Sequence, residues 1–150
     1  MNRIRTDHPN SIEIFINALN DNKVIAYPTD TIYGLGTAID NDEGIDRINL
    51  MKMREQPMSI ALGNFNIIKN QIIANKNTMA EIEEILRDGN TCIAPYNPGS
   101  LNDKITKDGK IGFRITNHDY LKAVLNDYKK PITTTLSLIH ISEPTRHNAI

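Results

Sequence analysis

The chain has 150 residues, of which 39% are hydrophobic and 23% charged, and this is enough for one globular domain with a sizeable core. A formal net charge of −1 excludes a whole-molecule attraction to nucleic acid or to a membrane surface. The single cysteine excludes an internal disulfide, and no apolar run approaches the ~20 residues that span a bilayer. Since the N-terminal residues also lack the apolar stretch of a signal peptide, we expect a soluble, cytoplasmic protein without a membrane partner.

The first part of the chain predicts two helices and two short strands. Ser11 is the expected N-cap of the first helix, and the apolar run at residues 23–27 predicts a buried strand. Residues 42–54 predict the second helix, and residues 58–62 the second strand. The residues expected to face inward are Ile12, Phe15, Ile16 and Leu19 in the first helix and Ile45, Ile48 and Met51 in the second.

The middle of the chain predicts two further helices, a strand and a loop. A helix is expected over residues 68–73, where Ile68, Ile72 and Ile73 recur, and Thr78 with Glu81 has the spacing of a capping box for the next one. Residues 90–94 are a third strand candidate. Residues 95–109 are rich in Pro, Gly, Asn and Asp, which predicts an exposed loop.

The segment at residues 110–116 alternates as a half-buried strand does. Its odd-numbered residues share one face, and Arg114 lies on the other. An amphipathic helix follows at residues 121–128, and residues 131–135 begin another strand. Helices that alternate with short strands predict an α/β or α+β sandwich around one mixed sheet.

Residues 24–36, VIAYPTDTIYGLG, read as a strand that leads into a polar turn. Thr31 and its neighbours offer hydroxyls and a carboxylate, while Gly34 and Gly36 allow a backbone or a ligand to approach closely. On chemistry alone, the segment is equally well explained as an ordinary connection between a strand and a loop.

Two further segments carry cations. Lys52 and Arg54 end the second predicted helix, where they could bind phosphates or simply interact favourably with the helix dipole. Arg114 is held on a strand, where it could pair with a substrate carboxylate or be a surface side chain.

Together, PTDTIYG, the Lys-x-Arg pair, KIGFRI (residues 110–115) and PITTT (residues 131–135) resemble the signature of the YrdC-like family, over about residues 23–135. The resemblance implies a twisted mixed sheet with helices packed on it. It also implies a nucleotidyltransferase that makes threonylcarbamoyl-AMP and pyrophosphate from L-threonine, bicarbonate and ATP, for tRNA modification. ATP is then a substrate, Mg²⁺ is expected with it, and tRNA or tRNA-modification proteins are candidate partners.

The resemblance also assigns roles to residues. Lys52 and Arg54 would bind the ATP phosphates and stabilise charge, with Lys110 near the nucleotide. Thr31, Arg114 and Thr134 would surround L-threonine. No side-chain nucleophile and no metal site are expected, and Cys92 is expected in the core.

The chain departs from the family after residue 135, where the family continues with Ser-x-Asn. Residues 136–146 instead match a reading-frame translation of a transposon-end sequencing adaptor. We therefore expect residues 1–135 to be the N-terminal part of a YrdC-like domain, incomplete at the C-terminus, and residues 136–150 to be a non-native tail. A chain cut in this way would expose a sheet edge and is expected to be inactive.

Two other functions are compatible with the same fold. One is an RNA-binding module without synthase activity, although the net charge and the 5% aromatic content disfavour an extended nucleic-acid surface. The other is a carbamoyl-transfer domain of a larger maturation protein. Threonine-dependent formation of pyrophosphate would separate the synthase from both.

Overall fold

A computed structural model describes residues 3–29, 33–51 and 58–135. Within these ranges the chain forms four α-helices and six β-strands, joined by short 3₁₀ turns and loops. The helices are α1 (Ser11–Asn20), α2 (Asp42–Met51), α3 (Lys76–Arg87) and α4 (Asp119–Tyr128). The strands are β1 (Ile25–Pro28), β2 (Tyr33–Gly36), β3 (Ser59–Leu62), β4 (Cys92–Pro95), β5 (Lys110–Ile115) and β6 (Ile132–Thr134).

Four of the described strands form a central mixed sheet in the order β4-β5-β3-β6. Strands β3 and β5 are parallel, whereas β4 with β5 and β3 with β6 are antiparallel. Strands β1 and β2 form an antiparallel hairpin. Isolated bridges join Leu35 of β2 to Thr135, just after β6, and Ala38, just after β2, to Ile132 of β6. The expected α/β class and the mixed sheet are thus confirmed, and β6 lies between β3 and the hairpin.

One side of the central sheet, called here the core side, carries the larger apolar cluster. Its sheet residues include Ile60 and Phe113, both fully buried, and Phe113 stacks on Phe65 with ring centroids 5.7 Å apart. Helices α2 and α3 contribute to this cluster. On the other side, Ala61 and Ile132 pack with α1, α4 and Tyr27 in a second cluster. The sheet is therefore the middle layer of a sandwich.

The first two helices differ in detail from the sequence-based expectation. Helix α1 has Asn10 at its N-cap, and Ser11 is its first helical residue, with Oγ donating to the Thr6 carbonyl at 2.9 Å. The expected inward position of Met51 is wrong, because its side chain is 48% exposed. Of the helices that the structure describes, none has the length and apolar character needed to cross a bilayer.

The helix expected over residues 68–73 is absent from this described stretch. Two 3₁₀ turns, Phe65–Ile67 and Lys69–Gln71, take its place. The amide of Ile73 donates to the Pro95 carbonyl at 2.9 Å, so this segment bonds to the last residue of β4 instead of continuing a helical ladder. The tertiary contact overrides the isoleucine spacing.

The capping box expected at Thr78 is also wrong. Asn75 is the N-cap of α3, and its Oδ1 accepts from the Thr78 amide at 2.8 Å. The loop at residues 95–109 is only partly exposed, because it buries apolar side chains around the 3₁₀ turn Asp103–Ile105. The buried side chains are Tyr96, Leu101 and Ile105.

Candidate functional site

The residues on either side of the expected polar turn pair with each other as the β1–β2 hairpin. Tyr27 pairs with Gly34, and Pro28 with Tyr33. Strand β2 was not predicted, since its two glycines depress strand propensity. The alternation of Tyr33 and Leu35 with glycine could have indicated it. Thr31 lies outside the described residues, so its predicted contact with L-threonine stays a prediction.

The two glycines of β2 allow a close approach of backbone and ring. A Cβ on Gly36 would overlap the Thr133 carbonyl oxygen and lie 2.8 Å from the Tyr27 ring. A Cβ on Gly34 would lie 3.0 Å from the Thr135 carbonyl oxygen and 3.3 Å from the same ring. The predicted role of these glycines in close approach is confirmed, and what approaches is β6 together with Tyr27.

The phenol of Tyr27 joins the hairpin to β6. Its hydroxyl donates to Thr134 Oγ1 at 2.7 Å, and both side chains are buried. Burial raises the pKa of Tyr27 strongly, while the hydrogen bond to Thr134 and the positive charge of Arg114 oppose that rise. The phenol therefore stays neutral and acts as a donor at physiological pH.

Strand register brings Thr134 and Arg114 to the same side of the central sheet. Thr134 pairs with Ser59, and Arg114 pairs with Ala61, two residues further along β3. Because alternate residues of a strand share a face, all four point away from the core side. A Cβ on Gly112 would lie 3.1 Å from Ser59 Oγ, which places that glycine in the same row. We call Ser59, Gly112, Arg114 and Thr134 the polar patch.

Arg114 is the cation of the polar patch, and its side chain is half-buried. The ion pairs found within residues 3–29, 33–51 and 58–135 are Arg5–Asp7, Lys69–Glu83 and Lys104–Asp46. None of the described carboxylates pairs with Arg114. A partly desolvated guanidinium without a counter-charge favours an anionic ligand, which it can bind through two parallel hydrogen bonds.

Of the other predicted cations, the structure describes only Lys110. Lys110 is exposed at the start of β5, on the same side of the strand as Arg114 and about 13 Å from it along the backbone. Lys52 and Arg54 lie outside the described residues. The predicted role of all three in binding ATP stays a prediction.

Two residues of this region were missed at the level of sequence. Tyr27 ends the apolar run that predicts the first strand, and a buried tyrosine usually needs a hydrogen-bond partner, which could have indicated a role for it. Ser59 lies in the second predicted strand, without a predicted role of its own. Its hydroxyl two residues before Ala61 is a weak indication of a face that is not fully apolar.

Two further residues with reactive side chains, Cys92 and His118, have structural positions. Cys92 is buried, as expected, and burial raises the pKa of its thiol, which disfavours the nucleophilic thiolate. His118 is the N-cap of α4, and its amide donates to Thr116 Oγ1 at 3.2 Å. Across the described part of the chain, no three His, Cys, Asp or Glu side chains are grouped as a metal site would need.

Comparison with known proteins gives three kinds of match. The Sua5_yciO_yrdC family model, described as "Telomere recombination", matches residues 17–148. Curated relatives named threonylcarbamoyl-AMP synthase include those of Pseudoalteromonas translucida and Aliivibrio fischeri. They are 27% and 28% identical over 130 and 138 residues, which is 83% and 87% of this chain and 70% and 74% of theirs.

Solved structures show the same fold. Sua5 of P. abyssi in complex with L-threonine has a TM-score of 0.74 at 20% identity, over 91% of this chain and 40% of its own. YciO of E. coli has a TM-score of 0.76 at 18% identity, over 91% of this chain and 67% of its own. The chain thus spans less than half of that Sua5 chain.

The family match covers the elements that build the polar patch. It includes the β1–β2 hairpin, β3, β5 and β6. It also runs through residues 136–148, which lie outside the described residues, so the adaptor origin of that segment stays a prediction. The family model matches most of the chain, and the fold is that of Sua5 and YciO. The chain therefore belongs to the Sua5/YciO/YrdC family.

Proposed function

We propose that this protein is an L-threonylcarbamoyladenylate synthase, which makes threonylcarbamoyl-AMP and pyrophosphate from L-threonine, bicarbonate and ATP for tRNA modification. The name shared by the curated relatives supports this activity. The observation that carries it is Arg114, a half-buried cation without a described counter-charge, on the same side of the sheet as Thr134.

The polar patch suits the carboxylate of an amino acid. The guanidinium of Arg114 supplies charge and two parallel donors, and the hydroxyls of Thr134 and Ser59 supply weaker, directional hydrogen bonds. Gly112 leaves the row between Ser59 and β4 without a side chain, so a small ligand can lie against the sheet. Thr31 would complete the contacts with L-threonine.

The chemistry requires positioning and fixed charge rather than a nucleophilic side chain. Bicarbonate loses hydroxide to give carbon dioxide, and the amine of L-threonine forms a bond to its carbon. The nitrogen loses a proton as the carbamate forms, and this proton and the hydroxide leave as water. A carbamate oxygen then attacks the α-phosphorus of ATP, and the bond to the β-phosphate oxygen breaks as pyrophosphate leaves. Lys52, Arg54 and Lys110 would hold the phosphates, and ATP would enter as its Mg²⁺ complex.

The first experiment begins with the gene. The locus is resequenced beyond codon 135, and protein is made from the reading frame that is found there. If residues 136–146 come from an adaptor, the chromosomal frame continues differently after Thr135. Finding the same codons in the chromosome would show that this interpretation of the tail is wrong.

The second experiment measures pyrophosphate released from ATP by that protein. Release is expected to require both L-threonine and bicarbonate, and leaving out either one should abolish it. A protein that releases no pyrophosphate, or releases it equally without L-threonine, would contradict the proposed synthase. It would favour the RNA-binding or carbamoyl-transfer alternatives.

A further inference from the structure

The hydroxyl of Thr134 accepts a hydrogen bond, and its own proton has no acceptor in the part of the chain that the structure describes. Its oxygen accepts from the Tyr27 phenol at 2.7 Å, and the residue is only 6% exposed. A threonine hydroxyl both accepts and donates. Among the residues that the structure describes, no acceptor takes the proton of Thr134. A buried donor is costly to leave without a partner, so this hydroxyl is suited to an acceptor that arrives with a ligand.

The direction of the hydrogen bond is set by the surroundings of Tyr27. The second acceptor within reach of its phenol, the Thr133 carbonyl, lies at 3.4 Å, which is long for a hydroxyl donor. The ring lies against Gly34 and Gly36, so it has little room to turn away. The phenol proton is thus directed to Thr134 Oγ1, and the threonine hydroxyl must donate elsewhere.

The backbone around Thr134 is held in register by its neighbour. The Thr133 amide donates to the Thr37 carbonyl at 2.9 Å, and Thr133 Oγ1 accepts from the Thr37 amide at 3.0 Å. These bonds fasten β6 to the segment after β2. Because Thr133 faces the core side, Thr134 faces the opposite side, which also carries Arg114.

We propose that Tyr27 is a positioning residue that holds the Thr134 hydroxyl as a donor to the carboxylate of the amino-acid substrate, beside Arg114. This inference rests on the proposed function and goes beyond it by assigning a role to a residue that would not itself touch the substrate. Tyr27 acts through Thr134, so its effect must disappear when the Thr134 hydroxyl is absent.

The first test is Tyr27→Phe in the protein made from the chromosomal reading frame. The substitution removes one oxygen atom and keeps the ring. The dissociation constant for L-threonine, measured by titration calorimetry, is expected to rise about fivefold, the scale of one neutral hydrogen bond. The dissociation constant for ATP is expected to change by less than about twofold. An unchanged affinity for L-threonine would overturn the inference.

The chain offers a matched control in Tyr96. Its phenol donates to Thr106 Oγ1 at 2.8 Å, and the residue is buried, but it packs in the cluster on the core side. Tyr96→Phe removes the same kind of hydrogen bond and should leave the affinity for L-threonine unchanged. Equal losses in both variants would mean that Tyr27 acts through general stability, and would overturn the inference.

The second test asks whether Tyr27 acts through Thr134. Thr134→Val should weaken L-threonine binding, and adding Tyr27→Phe to it should cause no further loss. In a Thr134→Ser background, which keeps the hydroxyl, Tyr27→Phe should again cost about fivefold. If Tyr27→Phe weakened L-threonine binding by the same factor in the Thr134→Val background as in the unsubstituted protein, the inference would be overturned.

The same titrations separate this inference from the proposed function. If the unsubstituted protein does not bind L-threonine, both the synthase and the role of Tyr27 are wrong. If it binds L-threonine and Tyr27→Phe binds equally well, the role of Tyr27 alone is wrong. Melting temperatures of Tyr27→Phe and Tyr96→Phe show whether the two variants are folded to the same extent.

Discussion

Two neighbouring residues of β5 show how differently the two sides of the central sheet are used. Phe113 is fully buried on the core side and stacks on Phe65. Arg114, one residue later, is half-buried in the polar patch, and its positive charge opposes the rise in the pKa of Tyr27. The core side thus contributes stability, and the polar patch contributes a cation and hydroxyls. Substitutions at Phe113 and in the polar patch should therefore have separable effects.

The largest expected effect tests the core side. Phe113→Ala should lower the free energy of unfolding by about 3–5 kcal/mol, because it leaves a cavity between the sheet and Phe65. At a temperature where the variant is folded, its affinity for L-threonine should be unchanged. Urea unfolding and titration calorimetry measure the two quantities. If Phe113→Ala were as stable as the unsubstituted protein but bound L-threonine more weakly, the two sides would not have separate roles.

The next effect concerns the cation pair predicted to hold ATP. Lys52→Ala or Arg54→Ala should each slow pyrophosphate formation by about a hundredfold, the scale of removing one preorganised charged donor. Lys76→Ala and Arg87→Ala remove exposed cations from the two ends of α3 and serve as matched controls. Rates of Lys52→Ala and Arg54→Ala that equal those of the controls would mean that the pair is structural.

A smaller effect tests the packing that joins the hairpin to β6. Gly36→Ala should cost about 1–3 kcal/mol of unfolding free energy, because its Cβ would overlap the Thr133 carbonyl oxygen. Gly34→Ala should cost less, since its nearest atom, the Thr135 carbonyl oxygen, would lie at 3.0 Å. Denaturant midpoints give the ranking. If Gly34→Ala were the more damaging, this account of the hairpin contact would be wrong.

The smallest effect is a pH dependence that comes from Tyr27. Burial raises the pKa of this phenol above its ordinary value of 10.0, so the unfolded chain ionises first as pH rises. The corresponding stability is complete below about pH 10 and is lost as pH rises through the pKa of the folded state. Unfolding free energies measured from pH 9 to 11 should fall less steeply for Tyr27→Phe. Parallel curves would contradict the buried, neutral phenol.

The sequence predicted those parts of the fold that depend on local patterns. Strand β5 alternates strictly, so the opposite orientations of Phe113 and Arg114 could be predicted from residue order. The helix expected over residues 68–73 does not form, because the Ile73 amide donates to the carbonyl of Pro95, which is distant in sequence. The start of α3 was misplaced because Asn75, three residues before Thr78, takes the cap.

The sequence could predict the cation of the polar patch, but not the tyrosine that bonds to its threonine. Arg114 was assigned to ligand binding from its strand and from the family resemblance. Tyr27 was not, because its partner Thr134 is 107 residues away and no local pattern joins them. The requirement that a buried phenol find an acceptor is a property of the folded molecule.

The most direct test of the account is the affinity of Arg114→Gln for L-threonine. Titration calorimetry should show at least a tenfold loss, the scale of a hydrogen bond to a charged group, with Arg87→Gln as the control. The unsubstituted protein should bind L-threoninamide, which lacks the carboxylate, as weakly as Arg114→Gln binds L-threonine. If Arg114→Gln binds L-threonine as tightly as the unsubstituted protein does, the polar patch is not the amino-acid site.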